Sequence, residues 1–275
     1  MQLTISLAQM DIALGEPEVN LARVKDMAKQ ARQKGAQVLV LPELWPTGYD
    51  LERAASYASG WGEGAFLEAA RLARTFGLYL VGSTLSVREG RFYNTAAIIT
   101  PEGKRAGWYD KIHLFRLMAE EQYLSPGRSC PVFSLPWGVA ALSVCYDLRF
   151  PELFRRYALD GARIVFVLAE WPQARLEHWR TLLRARAIEN QFFVVGCNRV
   201  GSSKGQDFGG HSALSDPWGR VLVEGGDREE LLTTTIELDE IEVARRTIPV
   251  FSDRRDDLYG GMLGMEASCA GNPRV

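Results

Sequence analysis

Three apolar stretches of this 275-residue chain each end in one reactive side chain: Val38-Leu39-Val40-Leu41-Pro42-Glu43, Ala106-Gly107-Trp108-Tyr109-Asp110-Lys111 and Ala140-Ala141-Leu142-Ser143-Val144-Cys145. Each has the character of a strand, so a carboxylate, an ammonium and a thiol are each delivered near a strand end. In open α/β sheets that is where ligands bind. A base, an oxyanion stabiliser and a nucleophile form a complete set for acyl transfer.

Cys145 is followed by Tyr146-Asp147-Leu148-Arg149-Phe150-Pro151, a short polar bend into a helix. A thiol on such a bend is expected to be exposed, close to backbone N–H groups and the positive end of the helix dipole. The plain alternative is a core cysteine, since free cysteine is among the most buried residue types. Glu43 and Lys111 tip the balance. Glu43 closes an aliphatic strand, where poor hydration disfavours the charged form and suits a group that takes and returns protons. Lys111, if not a solvated loop charge, would favour thiolate and hold the oxyanion of a tetrahedral intermediate. Glu120 and Glu121 precede Ser125-Pro126-Gly127, and either could fix Lys111 or assist Glu43. The histidines, His113, His178 and His211, are scattered, and a Cys–His dyad has no motif behind it.

The elements that must position these groups alternate between strand and helix, the pattern of stacked α/β units. Strands are expected at 3–8, 38–41, 78–82, 164–169 and 193–197. Helices are expected at 19–34, 66–76, 151–161 and 175–189, the third opening on Pro151, a favoured first helical position. Segments 93–100 and 104–109 read as a hairpin around Pro101-Glu102-Gly103, and 131–135 and 139–144 as another around Pro136-Trp137-Gly138. Short strands follow at 211–215, 221–223 and 232–236. No linker or repeat divides the chain, so the expectation is one α/β domain over 1–260, two sheets face to face with helices outside. The tail 261–275 loses periodicity and is expected to be mobile. The segment 241–251 mixes apolar residues with Arg245, Arg246 and Pro249, which suits an arm crossing to a partner better than a core element.

Composition narrows the function. Hydrophobic residues make up 47% and charged residues 24%, as in ordinary globular proteins. A net charge of −2 gives no footprint for nucleic acid or an anionic membrane. No apolar run approaches the roughly 20 residues that span a bilayer. The opening Met1-Gln2-Leu3-Thr4-Ile5 enters a strand directly, so the expectation is a cytoplasmic protein. Four cysteines, Cys130, Cys145, Cys197 and Cys269, lie too far apart for a zinc knuckle or a disulfide framework, and no metal site is expected.

In this order the segments resemble the nitrilase, or carbon–nitrogen hydrolase, superfamily. Leu41-Pro42-Glu43-Leu44-Trp45 matches its base motif, Tyr109-Asp110-Lys111-Ile112-His113-Leu114 its lysine motif, and Cys145-Tyr146-Asp147-Leu148-Arg149-Phe150-Pro151-Glu152 its nucleophile motif. Arg184-Ala185-Arg186-Ala187-Ile188-Glu189-Asn190, Gly210-His211-Ser212 and Asp216-Pro217-Trp218-Gly219 extend the match. The resemblance implies a four-layer αββα sandwich, a Glu43–Lys111–Cys145 triad, a second glutamate at Glu120, no cofactor, and a homodimer or larger assembly. Ala169-Glu170-Trp171-Pro172, Trp179 and the ending Ile248-Pro249-Val250-Phe251 look most like the ω-amidase branch, which deamidates 2-oxoglutaramate and related amides. A nitrile, an N-carbamoyl amino acid or an aliphatic amide would use the same triad, and a binding protein with a dead site is the alternative of another class. A carboxylated amide needs a guanidinium clamp, for which Arg149 and Arg175 are the candidates, each with a structural ion pair as its alternative. Tyr49 and Trp171 are expected to wall the cavity, and the Tyr146 N–H to share the oxyanion.

Overall fold

The computed structural model of the chain describes residues 1–259; the expected mobile tail lies outside them. The chain begins β1 (Gln2–Gln9), α1 (Pro17–Gln33), β2 (Val38–Val40), α2 (Ala54–Tyr57), α3 (Gly64–Phe76), β3 (Tyr79–Arg88), β4 (Arg91–Ile99) and β5 (Arg105–Asp110). It continues through α4 (Glu120–Tyr123), β6 (Val132–Leu135), β7 (Gly138–Val144), α5 (Pro151–Leu159), β8 (Ile164–Ala169), α6 (Leu176–Asn190) and β9 (Phe193–Asn198). The hairpin β10 (Val200–Ser203) and β11 (Gln206–Gly209) precedes β12 (Ala213–Ser215), β13 (Val221–Glu224), β14 (Glu230–Glu237), α7 (Glu240–Thr247) and α8 (Asp256–Tyr259).

Two six-stranded sheets result, ordered β14-β1-β2-β3-β4-β5 and β13-β12-β9-β8-β7-β6. Their centres are parallel, with Ile5 opposite Val38 and Val38 opposite Tyr79 in one, Ala140 opposite Ile164 and Ile164 opposite Phe193 in the other. Outer strands pair antiparallel. Strand alternation explains the layering. Val38 and Val40 join Leu3, Ile5, Leu7, Leu142 and Phe166 in the core between the sheets. Leu39 and Leu41, on the opposite face of the same strand, join Val24, Ala28, Phe66 and Ala69 of α1 and α3. Helices α5 and α6 cover the second sheet with Phe154, Tyr157, Trp179 and Leu183. The architecture is the expected αββα sandwich.

Three readings change. The strand expected to stop at Gly82 runs on to Arg88 and turns back through Glu89-Gly90. Gly82 marks a close approach: a Cβ there would lie 2.9 Å from the Trp45 ring. The β10–β11 hairpin was not legible in hydrophobic pattern because its residues are mostly small or polar. The segment expected as an arm forms α7, and Ile241 and Ala244 are fully buried on its inner face, so it is in part a core element.

Candidate active site

Glu43 lies three residues beyond β2, Lys111 directly follows β5 and Cys145 directly follows β7, so both sheets contribute at their carboxyl ends. The backbone is strained around the reactive groups. Cys145 itself has φ 47°, Leu44 after Glu43 has φ 44°, and Ala119 before Glu120 has φ 55°. Left-handed non-glycine residues cost of order 1–3 kcal/mol and persist where surrounding structure over-determines them.

The four groups come together below the protein surface. Glu43, Lys111 and Glu120 are each at most 1% exposed, and Cys145 is 5% exposed. Glu43 Oε1 accepts hydrogen bonds from Lys111 Nζ at 2.9 Å, Asn94 Nδ2 at 2.8 Å and Tyr49 O–H at 2.7 Å. Its Oε2 accepts the Glu170 backbone N–H at 3.0 Å. Lys111 Nζ also donates to Glu120 Oε1 at 2.5 Å and the Tyr49 hydroxyl at 3.2 Å, so all three ammonium protons are committed. Burial works against the ammonium, but Glu120 and Glu43 more than offset it and hold its pKa above the ordinary value. Burial pushes the Glu120 carboxyl up, with Lys111 pulling the other way. The Tyr49 hydroxyl also contacts Glu120 Oε1. One phenolic hydrogen cannot be donated to both carboxylates at once, so Tyr49 bridges Glu43 and Glu120 by serving one of them at a time.

Cys145 departs from expectation. It is buried, not exposed, and its thiol is pushed well above the usual range by burial first and then by Glu43, with Lys111 only partly opposing. Its Sγ faces the Glu170 carbonyl at 3.9 Å. Tyr49, expected as a cavity wall, has its hydroxyl inside the charged cluster and its ring beside a separate cavity of about 300 Å3. The other expected residues do gather at the thiol. Tyr146, Arg149, Trp171 and Arg175 line one recess with Phe115, Pro172 and Cys145. The recess has a volume of about 10 Å3.

Neither arginine forms the structural ion pair that was its alternative reading. Arg149 lies 4.7 Å over the Trp171 ring and meets His178 Nδ1 at 3.3 Å, while Arg175 lies 5.7 Å from the Phe115 ring centre. Among the described residues neither has a carboxylate partner. Desolvation, reinforced by the charge of Arg175, lowers the Arg149 pKa, as two guanidinium groups facing one recess should.

The supporting residues were the ones missed. Asp147, fully buried, accepts Tyr109 O–H at 2.7 Å, Val144 N–H at 2.9 Å and His113 N–H at 3.2 Å, tying the cysteine turn to the lysine strand. Arg186 on α6 donates through Nε and Nη2 to the Leu148 carbonyl at 3.1 and 2.9 Å, bracing the same turn from below. Gly127 N–H donates to the Lys111 carbonyl at 2.9 Å, and a Cβ there would lie 2.1 Å from the Asp110 carbonyl oxygen, so only glycine fits. Asn94, on β4 opposite Leu85, had no signal in its local pattern.

The profile of the carbon–nitrogen hydrolase family matches residues 4–246. The chain belongs to that family. It is a hydrolase of carbon–nitrogen bonds other than peptide bonds. It is 44% identical over 260 residues to 2-oxoglutaramate amidase of Bacillus subtilis (strain 168), covering 94% of this chain and 100% of that one. It is 31% identical over 269 residues to omega-amidase NIT2 of Homo sapiens, covering 93% and 96%. Among solved structures, a carbon–nitrogen hydrolase superfamily protein of Xanthomonas campestris with an arsenic adduct in its active site superposes with TM-score 0.87 at 30% identity, covering 92% and 97%. An amidase of Nesterenkonia sp. AN1, carrying the product of Michael addition of acrylamide at its active-site cysteine, gives TM-score 0.84 at 29% identity, covering 94% and 99%. Among the described residues no group of three or more His, Cys, Asp or Glu side chains is arranged to hold a metal ion, and no helix is long and apolar enough to cross a membrane.

Proposed function

We propose that the chain is an ω-amidase, releasing ammonia from a short carboxylated amide such as 2-oxoglutaramate, with Glu43, Lys111 and Cys145 as catalytic residues. The observation that carries the substrate class is the pair of guanidinium groups, Arg149 and Arg175, held without carboxylate partners in the recess that contains the thiol. A planar guanidinium binds a carboxylate best, and a substrate carboxylate is the partner this recess lacks. The names of the 2-oxoglutaramate amidase and omega-amidase relatives support the same reading.

In the first half-reaction Glu43 takes the thiol proton as Sγ bonds to the amide carbon. The tetrahedral oxyanion is held by Lys111 and the Tyr146 N–H, which as an early residue of the turn 145–149 has no intrahelical acceptor. The ammonium bond to Tyr49, the longest of its three at 3.2 Å, is the one an oxyanion takes over most readily. Glu43 returns its proton to the departing ammonia as the carbon–nitrogen bond breaks. Water then attacks the thioester, Glu43 removes its proton, and the carboxylic acid leaves as the thiol is restored. Glu120 and Tyr49 hold Lys111 in line, while Trp171 and Phe115 bound the pocket.

A panel of ω-amides, nitriles and N-carbamoyl compounds, assayed for ammonia and carbon dioxide, tests the assignment. Nitrile turnover, or carbon dioxide release, in preference to ω-amide turnover would overturn it. Arg175→Ala is expected to raise KM for 2-oxoglutaramate at least tenfold, about 1.4 kcal/mol, the low end for a charge-assisted bond because the side chain is half-exposed. An uncharged amide should be unaffected; equal effects on both would mean that Arg175 supports only its loop.

A homodimer or larger homo-oligomer is part of the same reading. Val243 and Ile248, 42% and 50% exposed on and after α7, leave an apolar strip that a second copy would cover. Light scattering at micromolar concentration should give at least twice the chain mass, and monomer mass would refute it. A thiol nucleophile with a second buried thiol at Cys197 suits a reducing compartment such as the cytoplasm.

A further inference from the structure

We infer that Glu170, locked by Arg199, is a positioning residue that holds base and nucleophile together through its main chain. The inference rests on the reading of Glu43 and Cys145 given above. Glu170 is the first residue beyond β8, and among the described residues it is the one whose backbone hydrogen bonds reach both groups. Its N–H donates to Glu43 Oε2 at 3.0 Å, and its carbonyl stands 3.9 Å from Cys145 Sγ. The other oxygen of Glu43 takes three donors, and the Glu170 N–H anchors Oε2.

The side chain of Glu170 does not line the recess and turns instead to Arg199. It is fully buried, and Oε2 accepts Arg199 Nη1 at 2.9 Å. Arg199, also fully buried, uses every donor of its fork. Nε binds the Val200 carbonyl at 3.0 Å, Nη1 also meets Ser203 Oγ at 3.5 Å, and Nη2 binds Asp11 Oδ1 and the Ile12 carbonyl, both at 2.9 Å. The guanidinium lies 4.4 Å over the Phe208 ring. Five donors on acceptors from three chain segments make a fixed point, and Glu170 is tied to it.

Stability alone does not account for this arrangement. A buried ion pair is commonly no better than an apolar pair of the same shape, and Glu170 Oε1 is buried with no hydrogen-bond partner among the described residues. What the pair does achieve is to hold one end of a short irregular stretch. The other end is held by Asn198, whose Oδ1 accepts the Trp171 N–H at 2.7 Å. Glu170 and Trp171 are adjacent, so both anchors hold the main chain that meets Glu43 and Cys145.

The test separates alignment from folding. Arg199→Lys keeps the charge but cuts five directed donors to three on a flexible stem. It is expected to lower kcat tenfold or more with KM within threefold, and to slow alkylation of Cys145 by iodoacetamide in parallel. Glu170→Ala should lose thirtyfold or more in kcat, and Glu170→Gln, which keeps an acceptor toward Arg199, should recover most of that loss. Wild-type kcat and alkylation rate in folded Arg199→Lys would overturn the inference. So would a loss explained wholly by a smaller folded fraction whose members react at the wild-type rate, or a kcat loss with unchanged alkylation. The underlying reading fails separately: ammonia release retained by Cys145→Ala would sink the nucleophile assignment whatever the Arg199 variant does.

Discussion

Replacing Asp147 by asparagine changes one atom, and the structure says what that atom costs. The carboxylate sits between the two strand ends that carry Cys145 and Lys111. Its Oδ2 accepts Tyr109 O–H and the Val144 N–H, and its Oδ1 accepts the His113 N–H at 3.2 Å and meets His113 Nδ1 at 2.7 Å. An asparagine offers one oxygen and one NH2. With NH2 toward Val144, the Tyr109 hydroxyl can turn and accept, but the Val144 N–H then faces another donor. With NH2 toward His113, the ring can accept as its other tautomer, but the His113 backbone N–H is orphaned. Either orientation leaves one buried donor unpaired, about 1–3 kcal/mol, and removes charge assistance from the surviving bonds, about 1 kcal/mol more. The sum, about 2–4 kcal/mol, should lower Tm by about 5–12 °C in a chain of this size. Because Val144 precedes the nucleophile and His113 lies two residues past Lys111, kcat should also fall about tenfold while KM holds within threefold. Calorimetry and steady-state ammonia release check both. A Tm within about 2 °C of wild type, with unchanged kcat, would refute the argument that these donors have no alternative acceptor.

Cys145→Ala should abolish turnover while keeping the thermal midpoint; in the unaltered protein iodoacetamide should remove activity and a chelator should not. Loss of activity with EDTA, restored by zinc, would count against the thiol mechanism. Glu170 gives a pH dependence of stability. Burial raises its carboxyl from 4.5 to about 7, against the pull of Arg199. The folded protein therefore holds this proton more tightly than the unfolded chain. The resulting stabilisation is complete below about pH 4.5 and is lost as pH rises to about 7, about 3 kcal/mol in all. Urea midpoints at pH 5 and pH 8 should differ less in Glu170→Gln than in wild type; the same difference in both would assign the slope to other groups.

Much of this was legible in the sequence because strand ends are local. An aliphatic run followed by one reactive residue announces both the element and its cargo, and β8 and the cores of β2, β7 and β9 fall where their β-branched and aliphatic residues predict. Asn94 and Asp147 were not legible as site residues because their value comes from what lies across the sheet or the interface, 51 residues away for Asn94 and Glu43, 38 for Asp147 and Tyr109. Tyr49 was named from the sequence as a cavity wall, but only the fold reveals that its hydroxyl meets Lys111, Glu43 and Glu120. Helix α7 was misread for a related reason: Ile241 and Ala244 make a narrow buried face, while Arg245 and Arg246 dominate the local composition.

The thiol itself is where sequence logic and structure part, and the difference constrains the chemistry. A lysine next to a cysteine in sequence-derived order suggests a thiolate waiting for substrate. In the structure the ammonium is shared between Glu43 and Glu120, so its charge is already balanced before the thiol is considered. Burial and the nearer carboxylate then raise the thiol, and the resting form is S–H. A buried thiolate beside two carboxylates would be the costliest arrangement in the site. In the proposed mechanism the proton therefore leaves as the carbon–sulfur bond forms, when negative charge passes from sulfur to the oxyanion and Lys111 can follow it. That makes the alignment of Glu43 with Sγ, more than the acidity of the thiol, the quantity on which the rate depends, and it is why the residues that fix the two, Asp147 and Glu170, should register in kcat before they register in KM.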